Sequence, residues 1–199
     1  MKVLIVGATG TLGQAVAAEL GKRHDVIRAA RSGADIDLDM ADTNSIRHAF
    51  ETLGQVDAVV SAAGTVKFAD FAEMQDADYR VGLDNKLMGQ VNLVLIGRDF
   101  VPDGGSFTLT TGILTHDPIR YGSSASMVNG ALESFVKAAA IEIGRGHRIN
   151  AVSPGMLVES VPNYGPYFPG HDPVPAAKAA LGFTKSVDGL QTGQIFEIF

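Results

Sequence analysis

Short runs of β-type residues alternate with longer runs of helical apolar spacing along the whole chain, and this alternation narrows the fold more than any other feature. "KVLIVG" (Lys2–Gly7) reads as a buried strand, and "LGQAVAAEL" (Leu12–Leu20) as a helix stopped at Gly21. "DVIRAA" (Asp25–Ala30) and "ADIDLD" (Ala34–Asp39) predict two more strands. A helix with a polar start, Asp42–Gly54, then leads into a strand over Val56–Gly64. Beyond it come a helical region over Asp76–Phe100, a strand over Gly105–Gly112 and a helix over Ser124–Ile143. A strand over Arg148–Gly155, a helix over Pro175–Ser186 and a strand over Thr192–Phe199 complete the order. Parallel strands need crossover connections, so the order predicts an α/β fold with helices on both faces of a parallel sheet. Ligands of such sheets bind beyond the carboxyl ends of the strands, which directs attention to the loops after each strand.

Composition supports one domain over residues 1–199. The chain is 46% hydrophobic and 19% charged, enough apolar residues for a sizeable core. It has no cysteine, which excludes disulfides, thiolate metal sites and a Cys nucleophile. No cluster of metal-ligating residues stands out, so no metal is expected. A net charge of −6 without a Lys/Arg cluster argues against a nucleic-acid partner. Met1 leads straight into "KVLIVG", and the longest apolar run, "VNLVLIG", is too short to span a bilayer. The expectation is a cytoplasmic protein that acts on a small-molecule substrate.

The first loop is the most informative. "GATGTLG" places Gly7, Gly10 and Gly13 between a strand and a helix, where a diphosphate needs close backbone approach and free helix N–H groups. Thr9, Thr11 and Leu12 complete that loop. The context makes the sheet Rossmann-like and doubly wound, with a dinucleotide as ligand. After the second strand, an acidic residue would suit a ribose 2′-hydroxyl, whereas Arg31 and Ser32 suit a 2′-phosphate, so NADP(H) is the expected cofactor.

These residues resemble the short-chain dehydrogenase/reductase family, and the likeness runs through essentially the whole chain. Gly7-x-x-Gly10-x-x-Gly13 matches the spacing of its extended and divergent branches. Asp39 falls where the family contacts adenine. "SAAG" (Ser61–Gly64) resembles its "NNAG" motif, which implies that Ala62, Ala63 and Gly64 border the cofactor. "RINAVSPG" resembles the strand and turn that meet the nicotinamide, here Pro154 and Gly155, and "TGQIFEIF" resembles its closing strand. The family's catalytic positions are where the likeness breaks. Aligning "VNGALESF" with "SKAALEGF" puts Ala125 at the Tyr and Asn129 at the Lys, while "KLMG" puts Lys86 at the Asn. Thr111 stands at the Ser and keeps a hydroxyl. The pattern resembles a divergent bacterial subgroup that lacks the usual active-site pair.

A residue that gives or takes a proton must therefore be sought elsewhere. Tyr121 lies one helical turn before Ala125 if the helix continues backwards; Gly122 and two serines fit a loop and N-cap equally well. His116 is a second proton-relay candidate and a solvated loop histidine on the other reading. Lys86 and Asn129 read as an exchange of partners on two packed helices, both reaching the ribose. Thr111 is placed to orient a carbonyl. The segment 161–175 holds five prolines and three aromatics at the place of the family's substrate loop, so Tyr164, Tyr167 and Phe168 are candidate pocket walls. Two readings stay open: an oxidoreductase for a small carbonyl or alcohol with an atypical active site, and a redox-silent NADP(H)-binding sensor or partner subunit. The resemblance also implies a homodimer or homotetramer through the two long helices.

Overall fold

In a computed structural model, which describes residues 1–199, the strands are β1 (Lys2–Val6), β2 (Asp25–Ala30), β3 (Ile36–Asp37), β4 (Ala58–Ser61), β5 (Ser106–Thr110), β6 (Arg148–Pro154) and β7 (Ile195–Ile198). They form one seven-stranded sheet in the order β3-β2-β1-β4-β5-β6-β7, and every pairing is parallel. The order reverses between β1 and β4, which makes that edge-to-edge seam the switch point.

Alternation along β1 builds both layers. Leu4 and Val6 join a core with Phe107, Leu109 and Ile149, covered by α2 (Thr43–Leu53), α4 (Met88–Gly97) and α5 (Ser123–Glu142). Val3 and Ile5 face the other way, into a core with Val16 and Leu20 of α1 (Thr11–Leu20) and Phe183 of α7 (Ala176–Asp188). Phe107 is completely buried, and such a side chain contributes about 1.5–3 kcal/mol. A chain that alternates sides at each crossover fills both layers at once, so the expected α/β sheet is the observed one.

Two regions depart from the sequence expectation. The helical region expected over Asp76–Phe100 is continuous from Asp76 to Gly97 but is not α-helical throughout. It comprises α3 (Asp76–Arg80), a π-helical turn over Val81–Leu87, and α4, which stops at Gly97. Apolar spacing cannot reveal a π turn, because the wider turn is fixed by tertiary contacts of Asn85 and Lys86. The segment after β6, expected as a loop, is itself folded into short helical turns. It holds a 3₁₀ turn (Val158–Ser160), α6 (Val161–Tyr164) and a second 3₁₀ turn (Gly165–Tyr167). Pro162 and Pro166 stand in the first turns of α6 and the second 3₁₀ turn, where a missing N–H costs nothing. No helix is long and apolar enough to cross a membrane.

Candidate active site

Two cavities lie beyond the carboxyl ends of the strands. The first, about 220 Å³, follows the switch point and is lined by Gly7, Thr9 and Gly10 after β1, by Arg31 after β2, by Asp39, and by Ala62–Gly64 after β4. Gly13 is not at its surface, but its hydrogen in place of a Cβ lets α1 sit against the loop. A Cβ there would come within 2.1 Å of the Gly7 carbonyl oxygen. Gly10 differs: a Cβ there would meet only that same oxygen, at 3.4 Å, and would otherwise occupy the cavity that Gly10 lines. Thr11 and Leu12 are the first residues of α1, where backbone N–H groups have no intrahelical acceptor. Their side chains do not line the cavity, and Leu12 packs toward the core. Ser32 is exposed outside the lining, whereas Arg31 stays at the rim. Asp35, the nearest acid in sequence, is taken by Arg28 at 2.9 Å, and that guanidinium holds its carboxyl below the usual range. Asp39 turns its own carboxylate to the Ala41 N–H at 2.9 Å.

The second cavity, about 280 Å³, opens beyond β5 and β6. Lys86, Thr111, Ala125, Asn129, Pro154 and Gly155 line it, with Tyr164 and Phe168 among the residues of its outer wall. So three of the four residues assigned to chemistry from sequence converge here. Tyr121 does not. Its φ of 70° and the start of α5 at Ser123 put it in the preceding loop, and its ring packs edge-on against Tyr167 at 5.8 Å. The backward extension of α5 that would have aligned Tyr121 with Ala125 is absent because Gly122 caps the helix. Tyr167 is thereby turned from the cavity wall as well. His116 points to α5 and β7, with Nε2 at 3.2 Å from Glu133 and 3.5 Å from Glu197, and does not line the cavity.

Lys86 joins the two cavities. Its stem crosses Gly64, where a Cβ would stand 2.5 Å from Lys86 Cγ; Gly64 has a φ of +148°, so only glycine suits this crossing. The ammonium donates to the Thr111 carbonyl at 3.1 Å. Burial lowers its pKa to about 8, and no neighbouring charge offsets that desolvation. Lys86 is half-buried, and it lines the cavity. Lys86 is therefore mostly an ammonium at pH 7 and loses its charge as pH rises through about 8. Asn129 Nδ2 reaches the next carbonyl, that of Gly112, at 3.4 Å. Thr111 Oγ1 and Asn129 Oδ1 are buried without a protein partner, the pattern of polar groups kept for a ligand.

Two positioning residues escaped the sequence reading. Gln90 is fully buried and clamps Thr110 through both amide atoms, accepting from its N–H at 2.8 Å and donating to its carbonyl at 2.9 Å. This fixes the strand end that carries Thr111. Asn85 accepts from the Thr65 N–H at 2.8 Å and lines the first cavity. A lone Gln inside the apolar run "MGQVNLVLIG" was the available signal for the first; Asn85 had none beyond its neighbour Lys86.

Comparison with known proteins agrees with this fold. The family model described as Enoyl-(Acyl carrier protein) reductase matches residues 2–181. The crystal structure of protein lin1944 from Listeria innocua superposes with a TM-score of 0.98 at 49% identity, covering 100% of both chains. An NADPH-dependent pterin aldehyde reductase of Arabidopsis thaliana is 28% identical over 184 residues, 78% of this chain and 74% of that protein. An uncharacterized oxidoreductase of Methylorubrum extorquens is 25% identical over 126 residues; the match covers 63% of this chain and about half, 51%, of that protein's length. A seven-stranded parallel sheet, a glycine loop at its switch point and a family match over residues 2–181 converge on one conclusion: the chain belongs to the short-chain dehydrogenase/reductase family.

Proposed function

We propose that the protein is an NADP(H)-dependent oxidoreductase acting on a small carbonyl or alcohol through an atypical active site. The observation that carries this reading is the contact of Lys86 with Gly64, which joins the trough at the glycine loop to an open, largely apolar chamber. The residues fit the cofactor. The unpartnered N–H groups of α1 suit a diphosphate, Arg31 suits a 2′-phosphate, Asp39 suits adenine, and Ala62–Gly64 with Pro154 and Gly155 border the remainder. The bound nicotinamide supplies the hydride. Thr111 Oγ1 holds the carbonyl oxygen, Asn129 faces the ribose side of the chamber, Lys86 places a positive charge on the chamber wall, and Tyr164 and Phe168 limit water. Ala125 has no proton to give and Tyr121 does not line the chamber, so a water there gives the proton that completes the alcohol. Oxidation of NADPH in the presence of a panel of activated aldehydes and ketones tests the reading. NADPH binding without turnover of any carbonyl would leave the redox-silent sensor, which Ala125 itself favours.

The cofactor choice has a sharper test. Charge-assisted hydrogen bonds from Arg31 to a 2′-phosphate are worth about 1.5–3 kcal/mol, so NADPH is expected to bind roughly tenfold to 150-fold tighter than NADH. Calorimetric titration of both cofactors reads this directly. Equal affinities, or a preference unchanged by Arg31→Ala, would remove Arg31 from the site.

Self-association through α4 and α5 belongs to the same proposal. Met88 and Leu95 on α4 and Met127 and Ile141 on α5 remain exposed, which supports a partner of the same chain on these helices. Sedimentation velocity at micromolar concentration is expected to show a dimer or tetramer, and a monomer there would count against it.

A further inference from the structure

We propose that the chamber beyond β5 and β6 selects an oxo acid, a carbonyl compound that carries a carboxylate, with Lys86 as the anchor of the carboxylate. The proposal rests on the reading of that chamber as the substrate side of an NADP(H) site.

Charge is what singles out the class. Lys86 is the one side chain lining the chamber that carries a charge at neutral pH, and it has no carboxylate partner in the protein. No Asp, Glu, Arg or His side chain shares the lining with it. Most of the remaining lining is apolar or backbone: Val66, Phe68, Leu114 and Phe168 surround the space. An ammonium set against apolar walls without a counter-charge is costly, and a ligand of opposite charge offsets that cost. Only one acceptor, the Thr111 carbonyl, is met inside the protein, so two of the three N–H donors remain for a ligand. The orphaned Thr111 Oγ1 and Asn129 Oδ1 supply further polar points in the same chamber. A carboxylate on Lys86 with its carbonyl oxygen on Thr111 Oγ1 answers two of these unmet groups with one small molecule. A neutral ketone would leave the ammonium unpaired in an apolar space.

The test is a binding measurement that needs no turnover. Benzoylformate and its neutral amide, benzoylformamide, are titrated calorimetrically into the protein saturated with NADP⁺, in which no hydride is available. At pH 7 the acid is expected to bind about tenfold to 150-fold tighter than the amide, the range for charge-assisted hydrogen bonds. That advantage should vanish in Lys86→Met. In the unaltered protein it should also shrink between pH 7 and pH 9, as the ammonium deprotonates near about 8, while the affinity for the amide stays level. The pH arm keeps the test decisive if Lys86→Met does not fold. Equal affinities for acid and amide, a preference that survives Lys86→Met or pH 9, or no binding of the acid at millimolar concentration would overturn the proposal. Binding of the acid only in the absence of NADP⁺ would also overturn it, because the ammonium would then belong to the cofactor. Failure here leaves reduction of neutral carbonyls standing, whereas a protein that reduces nothing can still pass the binding test.

Discussion

Gly13→Ala is expected to lower the stability of the ligand-free protein by about 3 kcal/mol, a fall of roughly 6–12 °C in melting temperature for a domain of this size. The added methyl would stand 2.1 Å from the Gly7 carbonyl oxygen and 2.8 Å from Ala8 Cα, both backbone atoms that no rotamer change can move. The loop and the first turn of α1 must separate, and the packing of Val16 and Leu20 on the second core goes with them. Gly10→Ala is the paired control. Its methyl has room, so melting should change little, but the cavity it enters is the one proposed for the diphosphate, and NADPH affinity should fall at least about tenfold. Thermal melts without ligand and calorimetry with NADPH separate the two. If both variants melt alike, the close approach of α1 to the loop is not what Gly13 secures. If Gly10→Ala binds NADPH normally, the diphosphate lies elsewhere.

Ala125→Tyr combined with Asn129→Lys is expected to raise NADPH-dependent carbonyl reduction about 100-fold or more, because a positioned general acid typically contributes about 10²–10⁴ in rate. Both positions line the second cavity and lie one turn apart on the inner side of α5, so the new hydroxyl and ammonium would share the chamber with Thr111. Ala125→Phe with Asn129→Lys fills the same space without a hydroxyl and serves as the control. Rates measured with one activated ketone across parent, restored pair and control give the answer. A restored pair no faster than its control would mean that the missing phenol is not what limits the parent. A parent already as fast as the restored pair would mean that another group delivers the proton.

How far the sequence reaches differs between scaffold and site. The alternation of strand-like and helix-like runs is a local signal, and it survives because each crossover buries a face on one of two cores; Leu4 and Val6 against Val3 and Ile5 carry it within a single strand. The glycine loop is legible for the same reason, since its constraint is steric and lies within seven residues. The chamber is not local. Tyr121 and Ala125 sit four apart in sequence, yet one positive φ and the cap at Gly122 keep Tyr121 out of the chamber that Ala125 lines. Lys86 and Thr111 meet across two elements, where Gln90 of α4 also pins the end of β5. Spacing rules see one element at a time, and here the chemistry lies between elements.

The π-helical turn at Val81–Leu87 acts on the phase of the helix around it. Upstream, Tyr79 bonds Ser123 at 2.9 Å and Gly82 presses close to Ser124 and Val128, so this half is indexed to α5. Downstream, Lys86 and Gln90 are indexed to the end of β5. A straight α-helix advances about 100° per residue and would hold one of these alignments at the expense of the other. The wider turn absorbs one extra residue, which lets Asn85 and Lys86, adjacent in the chain, serve two different cavities. Shortening this stretch by a single residue would leave composition and apolar spacing almost untouched, but it would throw the two halves of the helix out of step and close off either the seat on α5 or the reach of Lys86 to Thr111.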